Sequence, residues 1–242
     1  MRGPIKSVIK RWLRNAGLDV SRYVPFAAFD ERILAVLRRR GVNLVIDVGA
    51  NTGQFAQRLR ALGYDKRVIS FEPLAAAHAK LCDAARGDPD WNIAPRLALG
   101  ERNGAIELKV SANSVSSSVL AMLPSHLAAA PESAPCGVET VPLAKLDDAL
   151  APFLRGDETA LLKIDVQGAE DRVLAGATRT LPCVAAIQAE LSLVALYEGQ
   201  ALMHDIVELL RGRGYELADV HPAFIDPRDG RLLQLDGLFL RS

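Results

Sequence analysis

Apolar residues set two successive rhythms along this chain. Residues 1–14 place Ile5, Val8, Ile9, Trp12 and Leu13 at helical spacing, and 31–40 repeats the pattern before Gly41, a suitable C-terminal cap. From residue 43 the rhythm changes. Residues 43–48 are a short, nearly continuous apolar run, as expected of a parallel strand buried on both faces. A glycine-containing turn and a helix through Leu62 follow. A strand over 67–71, a helix over 74–86 and a third strand over 92–99 come next. Strands and helices alternating at this spacing predict a parallel sheet with right-handed crossovers.

Residues 100–145 break the alternation. They read as a turn at 101–104, a strand over 105–110, a small polar run at 111–118, an Ala/Pro-rich stretch and a returning strand over 138–143. This stretch has too little apolar bulk for a core of its own, so it reads as an insertion. The alternation resumes with strands over 160–166, 184–191 and 215–220 and helices over 169–177 and 202–213. A last strand over 235–240 follows the turn at 226–230, a link short enough for an antiparallel pair. The expected organisation is a helical extension over 1–40 and one α/β domain over 41–242, with 100–145 as a substrate-side hairpin or lid.

Composition narrows the function. Half of the 242 residues are hydrophobic, and 29 Lys and Arg balance 29 Asp and Glu, so no global charge favours nucleic acid. Cys82, Cys136 and Cys183 are too widely spaced for a disulfide framework or a zinc site. No apolar run reaches membrane-spanning length and no secretory leader is evident, so a cytoplasmic protein is expected. Residues 1–14 also carry Arg2, Lys6, Lys10, Arg11 and Arg14 without an acid. That helix suits either peripheral membrane contact or packing on the core with its bases in water. The oligomeric state is not legible.

The strongest chemical signal is Asp47-Val-Gly-Ala-Asn-Thr-Gly-Gln54 at a strand-to-helix turn. Gly49 and Gly53 let backbone approach a ligand, the helix start suits an anionic group, and Asp47 can sit near an ammonium. The spacing is neither the dinucleotide fingerprint nor a P-loop. Glu72 ends the second strand nineteen residues after Gly53, where a carboxylate can accept from ribose hydroxyls. Asp165 and Glu190 end two later strands, at the edge where open α/β sheets place ligands. Glu170 starts the helix after Asp165, where it also complements the helix dipole.

These motifs, with Leu97-Ala-Leu-Gly100, Leu161-Leu-Lys-Ile-Asp-Val-Gln-Gly-Ala-Glu170, Glu190-Leu-Ser-Leu-Val-Ala-Leu-Tyr-Glu-Gly199 and Leu235-Asp-Gly-Leu-Phe-Leu-Arg241, resemble the FkbM family of methyltransferases over residues 40–242. The resemblance implies a Rossmann-like class I methyltransferase fold: a mostly parallel seven-stranded sheet, an antiparallel last strand and helices on both faces. It also implies S-adenosyl-L-methionine as cofactor and a hydroxyl of a sugar, in a glycolipid or polysaccharide, or of a polyketide as acceptor. Carried over by motif, Asp47, Gly49, Asn51, Gly53 and Gln54 would hold the methionine end, and Glu72 the ribose. Ala98 and Leu99 would flank the adenine, with Asp165 beside the sulfonium. Gln167 stands where an acid is common in the family, which weakens a metal-dependent reading.

Attack by a hydroxyl needs a base within hydrogen-bond reach. Asp165 is the first candidate, Glu190 the second and His221 the third, while Ser116, Ser117 and His126 of the insertion are candidates for the acceptor side. A metal-assisted version in which Asp165 and Glu190 hold magnesium is the alternative mechanism; magnesium is possible but not expected, because two carboxylates alone make an incomplete set. Two other readings compete: a nicotinamide oxidoreductase, disfavoured by the missing fingerprint, and a non-catalytic cofactor-binding protein, disfavoured by acids kept at every expected strand end.

Overall fold

The computed structural model describes residues 28–113 and 116–242, so the expected helix over 1–14 lies outside the described residues. Helix α1 (Phe29–Arg39) leads into β1 (Leu44–Val48), α2 (Gln54–Ala61), β2 (Arg67–Phe71), α3 (Ala75–Ala85) and β3 (Trp91–Ile93). After the insertion, β7 (Ala160–Ile164), α6 (Glu170–Ala175), β8 (Val184–Ser192), α7 (Met203–Arg211), β9 (Tyr215–Ile225) and β10 (Leu232–Arg241) complete the main sheet. Its order is β3-β2-β1-β7-β8-β10-β9, with β10 antiparallel to both neighbours. The fold is the expected Rossmann-like one. The strand order reverses between β1 and β7, so a crevice opens at their carboxyl ends.

Side-chain alternation in β1 explains the two layers. Leu44, Ile46 and Val48 enter one core with Leu162, Ile187, Val173 and Leu210. Val45 enters the opposite core with Ile33, Leu37, Phe55, Leu59 and Leu81. Both β1 and β7 are buried along their whole length, as their apolar runs, each interrupted by one charged residue, lead one to expect.

The insertion forms a second sheet of order β4-β6-β5, from β4 (Ala98–Leu99), β5 (Gly104–Ser111) and β6 (Pro135–Ala144). Here the single strand expected over 92–99 is corrected. Its first part pairs with β2, its second part with β6, and Pro95 lies between them. A proline cannot donate to a ladder, so the run divides there. Short helices α4 (Pro124–Ala129) and α5 (Leu146–Leu150) flank β6. Among the described residues no helix is long and apolar enough to cross a membrane.

Two glycines of the first turn serve chain packing. Gly53 (φ +88°) faces the Trp91 ring, which a Cβ would meet at 2.7 Å. Gly49 (φ +74°) lies against the backbone of Asp165, and a Cβ there would stand 1.8 Å from the Asp165 carbonyl oxygen. Gly49→Ala should therefore cost at least about 2 kcal/mol, from backbone strain plus displacement of β7. Urea unfolding measures this, and a loss below about 0.5 kcal/mol, the range of an ordinary surface change, would contradict the packing role.

Candidate active site

The turn after β1 is tied to β2 before any ligand is considered. Gly49 and Ala50 donate their N–H groups to the Phe71 carbonyl at 3.1 and 3.0 Å. The Asn51 N–H donates to Glu72 Oε2 and the Leu74 N–H to Glu72 Oε1, both at 2.8 Å. Asn51 takes a left-handed conformation (φ 49°) to make its bond. Glu72 is buried. Desolvation pushes its carboxyl above the usual range, partly offset by those two N–H groups and by Lys163. The Thr52 N–H goes to Gln54 Oε1, and that of Gly53 to the Ala50 carbonyl. Five successive N–H groups are thus satisfied inside the protein, and an anion must look to α2 itself.

Asp47 and Lys163 are partners in the β1–β7 register. Lys163 Nζ lies 3.2 Å from Asp47 Oδ1 and 3.5 Å from Asp165 Oδ2, and it donates to the Gly49 carbonyl at 2.9 Å. Burial opposes the Lys163 charge, but Asp47 and Asp165 outweigh it and hold the ammonium above its ordinary value. Asp47 is wholly buried, also 3.4 Å from the Ser70 hydroxyl, and does not line the cavity. The expectation that it meets a ligand directly is corrected: its charge is committed to Lys163.

Asp165 and Glu190 are joined by one side chain. Gln167 donates from Nε2 to Asp165 Oδ1 at 2.8 Å and to Glu190 Oε2 at 3.0 Å. Its Oε1 lies 2.9 Å from the Tyr197 hydroxyl, which is also 3.0 Å from the Ser116 carbonyl. Gln167 adopts φ 58°, which aims the amide between the two acids. Gln234 donates to Glu190 as well. Burial, then Asp165, Glu170 and Asp236, hold the Glu190 carboxyl well above the usual range. Glu170 accepts the N–H groups of Val166 and Gly168, closing the turn after β7, and desolvation pushes it up to about 7.

A cavity of about 320 Å³ opens over these groups. Gly49, Asn51, Gln54, Glu72, Ala98, Leu99, Asp165 and Ser117 of the expected residues line it. Gly53 and Glu190 do not; Glu190 stands behind Gln167. His221 is exposed on β9, cross-strand from Asp236, and stacks on Phe29 with ring centroids 5.3 Å apart; it does not itself line the cavity. His126 is buried, edge-on to Tyr197, and also off the lining. Ser116 is buried in a network with Asn113 and Ser133 that shapes its loop.

Lining residues that sequence reasoning did not assign to the site include Lys163, Gln167, Gln188 and Asp236. Lys163 and Gln167 sat inside a recognised motif, and Asp236 inside another. The polar Gln188 within an apolar strand was the one independent signal. Among the described residues no group of three or more His, Cys, Asp or Glu side chains is arranged to hold a metal ion.

Comparison with known proteins places the sequence in a family. The family described as methyltransferase FkbM domain matches residues 47–217. The 2-O-methyltransferase NoeI of Sinorhizobium fredii is 32% identical over 177 residues, covering 69% of this chain and 70% of that protein. Among solved structures, the 1,6-didemethyltoxoflavin-N1-methyltransferase of Burkholderia thailandensis superposes with a TM-score of 0.46 at 11% identity, over 100% of this chain and 92% of that one. An rRNA methylase from Streptococcus thermophilus gives 0.47 at 9% identity, over 92% and 99%. The fold assignment rests on the strand order itself.

Glu170 generates a prediction with a definite sign. Its folded value of about 7 lies above the usual 4.5, so between those values the folded chain holds a proton that the unfolded chain releases. Stability contributed by that proton falls as pH rises, by up to about 1.4 kcal/mol per pH unit. Glu170→Gln should remove one proton's worth of this slope in urea unfolding at pH 5, 6 and 7. An unchanged slope would contradict the assignment.

Proposed function

The chain belongs to the FkbM family of S-adenosylmethionine-dependent methyltransferases, and we propose that it methylates a hydroxyl of a sugar, in a glycolipid or polysaccharide, or of a polyketide-type product. The observation that carries this reading is one cavity with Glu72 at the end of β2 and Asp165 at the end of β7. The description of the NoeI relative as a 2-O-methyltransferase supports oxygen as the accepting atom.

The residues fit the cofactor. Glu72 uses one lone pair of each oxygen on Asn51 and Leu74, which leaves acceptor capacity for ribose hydroxyls. Ala98, Leu99 and Leu108 supply an apolar wall for a flat base. Asn51 and Gln54 offer polar groups at the start of α2 for the methionine end. When bound, S-adenosylmethionine supplies an electrophilic methyl group on a sulfonium.

Asp165 takes the proton of the acceptor hydroxyl. Its side chain is 41% exposed, lines the cavity and is held on one side by Gln167 and on the other by Lys163. Fixing its rotamer from both sides makes it a positioned base. Glu190 stands behind Gln167 without touching the cavity.

Asp165→Asn keeps the shape and removes the base. Turnover on an active acceptor, read by mass spectrometry, should fall by about 10²–10⁴ while the melting temperature stays near that of the parent. Normal turnover in this variant would remove Asp165 from the base role.

A further inference from the structure

We propose that Gln188 and Asp236 form the acceptor subsite, accepting hydrogen bonds from two neighbouring hydroxyls of a sugar. This deepens the methyltransferase reading and rests on it. The strand order β2-β1-β7-β8-β10 sets Asp165 between two walls of the same cavity. Glu72 marks one wall, on the side of β2. Gln188 of β8 and Asp236 of β10 mark the other.

Gln188 is 5% exposed and lines the cavity, yet its Oε1 has no hydrogen-bond partner. A buried amide oxygen left in that state costs free energy until a donor arrives. Asp236 shares the lining with it; burial and Asp165 raise that carboxyl above the usual range, partly offset by the neighbouring Gln188 amide. Gln188 also partners Lys163 in the β7–β8 register, but that ammonium is already taken by the Gly49 carbonyl and Asp47.

The corner therefore presents acceptor atoms: Gln188 Oε1 and the carboxylates of Asp236 and Asp165. A phosphate or carboxylate ligand would be repelled, and an apolar one would leave the amide unsatisfied. A pair of adjacent hydroxyls supplies the missing donors, with one of them reaching toward Asp165. An ammonium would satisfy the same atoms, and the cofactor carries one, so the test separates the two sources.

The full chain is saturated with S-adenosylhomocysteine and titrated with methyl α-D-glucopyranoside, methyl α-D-mannopyranoside and their 2-deoxy and 3-deoxy analogues. Binding is followed by ligand-observed NMR. The parent protein should bind at least one glycoside and lose about tenfold in affinity on removal of a hydroxyl, the effect of one lost hydrogen bond. Gln188→Leu should bind the intact glycoside as weakly as the parent protein binds the deoxy sugar, with no further loss for the deoxy sugar itself. Asp236→Asn should weaken glycosides in the same way. Both variants should keep the parent's melting temperature and its affinity for S-adenosylhomocysteine.

A parallel loss of S-adenosylhomocysteine affinity would overturn the proposal in favour of an ammonium subsite. Parent-like glycoside binding by both variants would overturn it too, as would a loaded parent protein that binds no glycoside, which leaves the methyltransferase reading standing. A parent protein unable to bind S-adenosylhomocysteine would overturn both readings together.

Discussion

The close approach of β1 and β7 at their carboxyl ends is the constraint on which the rest of the site depends. Only a residue without Cβ fits at Gly49, because the Asp165 carbonyl occupies that space. The Asp165 N–H donates to the Val48 carbonyl at 3.1 Å, and Lys163 bridges the same junction from below. Desolvating Asp47 and Lys163 is costly, and the pair persists because Lys163 also caps the Gly49 carbonyl. One junction thus fixes the first turn, orients Asp165 and brings a buried cation beside a rim of carboxyls.

That rim is crowded. Burial, and then the charges of Asp165, Glu170 and Asp236, hold Glu190 well above the usual carboxyl range. Gln167 keeps the arrangement workable. Its amide donates to two carboxylates at once, where an acid at this position would add another repelling charge. Through Tyr197 the same side chain reaches the insertion at Ser116. The catalytic edge and the loop over it are therefore one hydrogen-bonded unit, which explains why Ser116 shapes that unit from within.

Much of the sheet was legible because its determinants are local. Alternation of strands and helices set the parallel order, and the antiparallel return of β10 followed from a short turn. The place of Glu72 on the cavity lining was legible because it ends a strand at the edge where the crevice opens. What was missed depends on contacts distant in sequence. Asp47 read as a ligand group because its partner Lys163 lies 116 positions on, in another strand. Gly53 read as a ligand-approach glycine because nothing nearby announces the Trp91 ring. His126 read as an acceptor-side candidate of the insertion, yet it is buried against Tyr197 and Phe224 from the other half of the chain. Asp236 was hidden in a motif whose use became visible only when β10 paired with β8.

Calorimetric titration of S-adenosylhomocysteine and NAD into the full chain and into Glu72→Ala decides whether the cavity is a methyl-donor site. The parent should bind S-adenosylhomocysteine and not NAD, and the variant should lose about one to three kcal/mol of that binding, the worth of a charge-assisted hydrogen bond. Preference for NAD, or equal S-adenosylhomocysteine affinity with and without the Glu72 carboxylate, would contradict a methyl-donor site.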